Sequence, residues 1–279
     1  MNATPIVKRS MVGVELVRLL AEQGERVFST EKARELSVRA GIKPNYLLEA
    51  LYHLRRNGWI VALRRGFYAL ASSVPGVAPV HEFEIAMAIV RRAAISHWSA
   101  LHYHGLTDQV PLKVFVLTTT DTAIPQTRGD QTRHAGGGCQ VGETVYQFIR
   151  VKPARFFGLE KIWVGDAHVT VTDPERSLLD GLMMPQYCGD FAEVLHAFDV
   201  RGDRLDLNRV VNYALKLDGA TIKRLGWVLE HQGVDLARLE PLVKAPITGY
   251  RSLDPTGPHQ GIRNHRWMIQ ENLHGPVTS

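Results

Sequence analysis

The stretch PNYLLEALYHLRRN, residues 44–57, followed by GWIVALRRGFYAL, residues 58–70, decides the fold of the N-terminal part of this chain. Leu47, Leu51 and Leu54 recur at the spacing of one helix face, so they predict an amphipathic helix that buries this stripe. Pro44 suits the first position of the helix, because its missing N–H is not needed there. Gly58 predicts the end of the helix.

Residues 59–70 predict a short hairpin directly after this helix, because two apolar runs flank the basic turn Arg64-Arg65-Gly66. The preceding residues predict two further helices, over 5–23 and 31–40, with Ser29 and Thr30 as N-cap candidates for the second. Helix, helix, turn, helix and hairpin within about 70 residues is the order of a winged helix-turn-helix.

The charge distribution favours nucleic acid as a partner of this segment. Residues 1–72 hold twelve Lys and Arg against six acidic residues, whereas the other 207 residues hold 21 against 22. A polyanion is therefore attracted to the first quarter of the chain. The predicted third helix turns a polar face outward for the major groove, and the hairpin tip reaches phosphate or the minor groove. The candidate DNA-binding residues are Lys43, Asn45, Tyr46, Glu49, Tyr52, His53, Arg56, Arg64 and Arg65. The alternative is a winged helix that serves only protein contact.

Domain boundaries follow from composition. Residues 73–79 are rich in Pro, Gly and Ser and predict a linker between a DNA-binding domain, 1–72, and a larger domain, 80–279. The larger domain begins with a predicted helix over 81–92. Predicted strands then cover 113–118, 145–151, 161–164 and 167–172, with an exposed loop over 121–143. Helices are predicted over 174–183, 191–198, 206–217 and 221–232. This order favours an α+β fold: a winged helix-turn-helix followed by a mixed domain.

Four segments of the larger domain resemble the AbiEi family of type IV antitoxins. They are residues 94–106 (AISHWSALHYHGL), 172–182 (TDPERSLLDGL), 224–227 (RLGW) and 249–255 (GYRSLDP). The family joins a winged-helix N-terminal domain to a C-terminal antitoxin domain. The resemblance implies that the protein represses its own bicistronic operon and neutralises a nucleotidyltransferase toxin encoded next to it. Whether neutralisation needs direct contact with the toxin stays open.

Catalytic and metal chemistry find little support in the sequence. His102 and His104 are two residues apart, on opposite sides of a helix, so with His97 they predict packing or capping and no metal site. Asp173 and Asp180 invite a catalytic reading, yet Asp173-Pro174-Glu175 is a typical helix start. No nucleophile elbow, P-loop or metalloprotease motif occurs in the sequence. We therefore expect a protein that is not an enzyme and has no cofactor.

The expected partners are operator DNA with inverted repeats, bound cooperatively or by a homodimer, and the nucleotidyltransferase toxin. No apolar run approaches the length of a membrane span, so no membrane partner is expected and the cytoplasm is the expected location. Two alternatives stay open. One is an ordinary winged-helix repressor whose second domain senses a small molecule. The other is an enzyme domain that modifies a toxin or nucleic acid.

Overall fold

The structure, a computed structural model, describes residues 5–124 and 138–273, and for residues 5–12 it describes the backbone only. It is a mixed α+β protein with helices and several sheets. The chain divides into two compact units. The first unit comprises residues 1–93, 122–147 and 163–169, and the second comprises 94–121, 148–162 and 170–279.

Three helices form the start of the first unit. They are α1 (Pro5–Glu22), α2 (Thr30–Ser37) and α3 (Leu47–Arg56), with a 3₁₀ turn over Pro44–Tyr46 directly before α3. The Ser29 side chain accepts a hydrogen bond from the backbone N–H of Lys32, so Ser29 caps α2 as predicted. Pro44 opens the 3₁₀ turn and not α3 itself, so the predicted helix over 44–57 is regular only from Leu47 onward.

A three-stranded antiparallel sheet accompanies these helices. Its strands are β1 (Val27–Ser29), β2 (Ile60–Arg64) and β3 (Phe67–Leu70), hydrogen-bonded in the order β1-β3-β2. The predicted hairpin over 59–70 is therefore present. The sheet and the helices share one apolar core, to which α3 contributes Leu47, Leu51 and Leu54 and the sheet contributes Phe28 and Ile60.

Residues 71–81, which include the predicted linker, contain no helix or strand, and α4 (Glu82–Ile89) follows them. The sequence assigns this helix to the larger domain, whereas the compact units place it in the first. Arg26, directly before β1, forms an ion pair with Glu84 of α4 at 3.2 Å. Phe83, Ala86 and Ile89 are buried.

A second sheet begins after α4. Strand β4 (Ala93–Ile95) leads into α5 (His97–Tyr103) and then β5 (Lys113–Thr119). The predicted loop over 121–143 is wrong at its C-terminal end. Gly138–Val141 forms β6, which pairs antiparallel with β7 (Thr144–Val151) around a turn at Gly142-Glu143. Residues 125–137 of that predicted loop lie outside the described residues.

Strands β8 (Leu159–Val164) and β9 (Ala167–Thr172) complete the sheet, whose order is β6-β7-β5-β4-β9-β8. They meet at Gly165, where φ is 58°, as the predicted hairpin requires. Strand β4 pairs parallel with β9, with Ile95 opposite Val171.

Helices dominate the rest of the second unit. They are α6 (Pro174–Met183), α7 (Phe191–Arg201), α8 (Leu207–Ala214), α9 (Gly219–His231) and α10 (Leu236–Lys244). The first four follow the predicted positions, and α10 has no counterpart in the sequence prediction. Aspartates 173, 190, 206 and 218 cap α6 to α9 by accepting a backbone N–H of the first turn.

A small sheet of β10 (Arg251–Ser252), β11 (Ile262–Asn264) and β12 (Ile269–Glu271), in the order β10-β12-β11, follows these helices. Trp267 beside it is fully buried and packs against Gly226 of α9. Within the described ranges, no helix has the length and apolar character needed to cross a membrane.

Candidate nucleic-acid interface

Helix α3 separates an apolar face from a polar one. Leu47, Leu51 and Leu54 are at most 4 % exposed, which confirms the predicted buried stripe. Asn45, Glu49, Tyr52, His53 and Arg56 are all exposed, as the helical spacing predicts. These five side chains are therefore available to a partner outside the protein.

Three of the exposed side chains interact, because both Glu49 and Tyr52 contact His53. The Glu49 carboxylate lies 3.7 Å from Nε2 of His53, one helical turn away. The Tyr52 ring meets the His53 ring edge-on, with 5.5 Å between centroids. Such contacts at the helix surface are weak, so a ligand can displace them.

Lys43 and Tyr46 flank the 3₁₀ turn. Lys43, one of the candidate DNA-binding residues, is exposed. Tyr46 is half-buried and packs against the apolar core of the first unit. Its ring therefore stabilises the start of α3, and only part of it faces outward.

The two arginines of the hairpin differ in their surroundings. Arg65 is exposed beside Gly66, whose φ of 77° closes the turn. Arg64 donates from Nε to the backbone carbonyl of Ala88 at 2.8 Å, and its guanidinium lies 3.4 Å from the centroid of the Phe67 ring. Burial, assisted by the nearby charge of Arg91, lowers the pKa of Arg64. Arg64 thus anchors the hairpin to α4, while Arg65 faces solvent.

The hairpin is also attached to the start of α2. The backbone N–H of Thr30 donates to the carbonyl of Gly66 at 2.8 Å, and the Thr30 hydroxyl donates to the same oxygen at 3.3 Å. The hairpin tip is thereby held in place relative to α2.

A groove of about 670 Å³ lies between α3, the β2–β3 hairpin and β6. Strand β6 contacts β2 and forms one wall of the groove. Sequence reasoning missed three of its exposed lining residues, Leu48, Arg55 and Gln140. The helical spacing could have found the first two, since Leu48 and Arg55 are seven residues apart on one face. Gln140 gave no signal, because its position depends on a non-local strand contact.

Comparison with known proteins bears on this part of the chain. Residues 15–71 match a family model described as "Transcriptional regulator, AbiEi antitoxin". The match confirms that the N-terminal part of the chain resembles the AbiEi family of antitoxins and transcriptional regulators. It covers α2, α3 and the hairpin, and it includes all nine predicted DNA-binding residues.

The AbiEi match ends before α4, so it includes neither β6 nor the four segments on which the sequence resemblance was drawn. A solved structure is similar over most of the chain. The RV2827C protein from Mycobacterium tuberculosis is 16 % identical, with a TM-score of 0.66, over 92 % of this chain and 90 % of that one. At this identity the likeness shows a shared fold. No curated protein matches the sequence.

The AbiEi-like segment Thr172–Leu182 forms a buried polar cluster in the second unit. Asp173 accepts hydrogen bonds from the backbone N–H of Arg176 at 2.8 Å and from the Tyr213 hydroxyl at 2.9 Å. Asp180 accepts one from Nε of Arg176 at 2.9 Å. The two carboxylates considered as a catalytic pair thus both accept hydrogen bonds from Arg176, one from its backbone and one from its side chain.

Glu175 of the same segment is completely buried and receives basic partners from two other elements. Nη2 of Arg201 lies 2.7 Å from its Oε1, and Nη1 of Arg209 lies 3.6 Å from its Oε2. The backbone N–H of Asp206 donates to Oε1 at 3.2 Å. These contacts connect α6 to α7 and α8, which gives the conspicuous charges of this segment a structural role.

The three clustered histidines are dispersed by the fold. His97 is buried, with Nδ1 2.9 Å from the Ser96 hydroxyl, whereas His102 is exposed. Nε2 of His104 lies 2.7 Å from the backbone oxygen of Thr172. Among the described residues, no group of three His, Cys, Asp or Glu side chains is placed to hold a metal ion.

Proposed function

We propose that this protein is the antitoxin of a type IV toxin–antitoxin system and represses its own operon. In this proposal, residues 1–72 bind operator DNA as a winged helix. The observation that carries it is the polar face of α3, which is exposed beside a hairpin with Arg65 at its tip. The order of three helices and a hairpin, and the positive excess of this segment, support the same reading.

The proposed docking places α3 in the major groove. Asn45 and Glu49, near the N-terminal end of the polar face, then meet base edges, and Tyr52, His53 and Arg56 lie further along it. Arg65 meets the phosphate backbone or the minor groove. Operator half-sites in an inverted repeat are read by two copies of the chain, as a homodimer or through cooperative binding.

The remainder of the chain, residues 80–279, is proposed to act against a nucleotidyltransferase toxin without catalysis and without a cofactor. The support for this half is the resemblance of four of its segments to the AbiEi family and the structural role of its buried charges. The protein acts in the cytoplasm in this proposal, where both the operator and the toxin are found.

The DNA half of the proposal is tested by anisotropy titrations of the full chain on its own promoter and on random duplex of equal length. We expect Asn45→Ala to weaken binding to the promoter by about 1–3 kcal/mol and to change binding to the random duplex little. Arg65→Ala should weaken both and flatten the slope of log K against log salt by about 1. Wild-type protein that binds neither duplex contradicts the proposal.

The antitoxin half needs a test that separates protection from repression. The neighbouring nucleotidyltransferase gene is expressed from an unrelated inducible promoter, together with the full chain or its Asn45→Ala, Arg65→Ala double variant. We expect both to restore growth, because protection should not depend on operator binding. If only the wild-type chain protects, the antitoxin action is not separable from DNA binding. If neither protects, the antitoxin assignment is wrong.

A further inference from the structure

The groove between α3, the hairpin and β6 has the charge of a polyanion site. Of the residues that the structure describes, three arginines and no carboxylate line it. Arg55 and Arg65 are exposed, whereas Arg64 is fixed by Ala88 and Phe67. The lining residues are Leu48, Leu51, Tyr52, Arg55, Ala62, Leu63, Arg64, Arg65, Gly66, Tyr68, Cys139, Gln140 and Val141.

The remaining exposed groups of the groove suit a ligand that is both charged and partly apolar. Leu48 is 65 % exposed and Tyr52 is 59 % exposed, so both offer apolar surface to a ligand in the groove. A sugar–phosphate strand matches this lining, since its phosphates accept from guanidinium groups and its sugars pack against apolar side chains.

Strand β6 brings an uncharged hydrogen-bonding group to the opposite wall. The Gln140 side chain is exposed, and its Nε2 donates to the backbone oxygen of Gly142 at 3.0 Å. Cys139 beside it is buried, and burial raises the pKa of its thiol to about 11, so this wall carries no thiolate charge near neutral pH. The wall therefore adds no repulsion to a phosphate.

We propose that this groove binds one sugar–phosphate strand of the DNA, so that the DNA-binding surface includes β6. Arg55 and Gln140 contact the backbone from opposite walls. This inference rests on the proposed function, and it extends the surface beyond the hairpin to residues about 70 positions further along the chain. Tyr52 belongs both to the exposed face of α3 and to the groove, so a duplex that lies on α3 brings a backbone into the groove.

The test uses the full chain, with anisotropy titrations on promoter and random duplexes at several salt concentrations. Gln140→Glu places a negative charge in the groove, and we expect it to weaken binding to both duplexes about tenfold. Arg55→Ala should flatten the salt slope by about 1. Gln186→Glu and Arg238→Ala, the same chemical changes at exposed positions of the second unit, should leave binding unchanged.

The Gln140→Lys variant distinguishes an effect of charge in the groove from a loss of binding caused by misfolding. It should strengthen binding to both duplexes and steepen the salt slope by about 1, which a damaged protein does not do. If the Gln140 and Arg55 variants bind like wild type while Asn45→Ala, which lies outside the groove lining, weakens promoter binding, the groove inference is wrong and the proposed function stands. If wild-type protein binds neither duplex, both are wrong.

An acidic peptide is the competing occupant, and the same variants discriminate it. A fluorescent poly-glutamate peptide is titrated into wild-type protein and into the Gln140→Glu variant. Peptide binding that is lost in the variant, with DNA binding unaffected, overturns the proposal in favour of a protein partner. Weak peptide binding that DNA displaces supports the sugar–phosphate assignment.

Discussion

At the scale of single residues, adjacent side chains of like charge take different roles. Arg64 and Arg65 are neighbours in sequence and identical in charge, so sequence reasoning assigned both to DNA. The fold binds the first to Ala88 and Phe67 and leaves the second in solvent. The difference arises from α4, whose position relative to the hairpin no local pattern reveals.

Arg64 should therefore matter for stability. We expect Arg64→Ala to lower the free energy of unfolding by about 1–3 kcal/mol, because it removes a charged hydrogen bond and a cation–π contact. Arg65→Ala, at an exposed position, should change it by less than about 0.5 kcal/mol. Urea denaturation of the two variants measures the contrast. Equal effects would show that Arg64 is not an anchor.

His97 should make stability depend on pH. Burial lowers the pKa of His97, and Asp180 opposes this shift while Arg176 adds to it. The unfolded chain then binds this proton more readily, so the free energy of unfolding falls as the pH drops below about 6.5. His97→Gln should make the fall between pH 7.5 and 5.5 shallower, whereas His102→Gln, exposed on the same helix, should not. An unchanged pH dependence in His97→Gln would contradict this assignment.

At the scale of elements, the sequence predicted those helices and hairpins whose formation depends on residues close together in the chain. The leucine stripe of α3, the glycines of the two hairpins and the aspartate before α6 each act within a few residues, so their elements were predicted well. Strand β6 was read as loop, because Gly136-Gly137-Gly138 dominates the composition while its pairing with β7 decides the structure. Helix α10 was not predicted, because it contains Pro241 in its interior, where proline ordinarily argues against a helix.

The contact between α9 and Trp267 predicts that a glycine-to-alanine substitution in this helix lowers stability, whereas such a substitution ordinarily raises it. Replacing a glycine inside a helix by alanine ordinarily stabilises it by about 1 kcal/mol. A Cβ at Gly226 would lie only 1.9 Å from Cζ3 of Trp267, which is fully buried. We expect Gly226→Ala to destabilise the protein by about 1–3 kcal/mol or more in a thermal melt. The Trp267→Leu background should relieve much of this penalty, and independent, additive effects would refute the close contact.

At the scale of the whole molecule, the predicted boundary at residues 73–79 and the compact units give different divisions. The boundary predicts that residues 1–72 fold as a domain. The first compact unit also contains α4 and residues 122–147 and 163–169. The exposed polar face of α3 was predictable because it is encoded in one continuous stretch, whereas the groove wall formed by β6 was not.

Fragments distinguish the two divisions. We expect a fragment of residues 1–93 to melt at least about 5 °C above a fragment of residues 1–72, because it keeps the Arg26–Glu84 ion pair, the Arg64–Ala88 hydrogen bond and the buried face of α4. Circular dichroism melts measure this. Equal melting temperatures would support the boundary at the linker.

The interleaving of the two units also has a consequence for synthesis on the ribosome. Segments emerge in chain order, and domains at the N-terminus generally fold first. Here the first unit includes residues 163–169, so it lacks part of its structure until well over half of the 279 residues have been translated. A nascent chain can form α1 to β3 early, yet the groove with β6 is completed only later. A ribosome stalled between residues 93 and 138 would therefore expose α3, the helix that we propose reads DNA, while its groove is still open on one side.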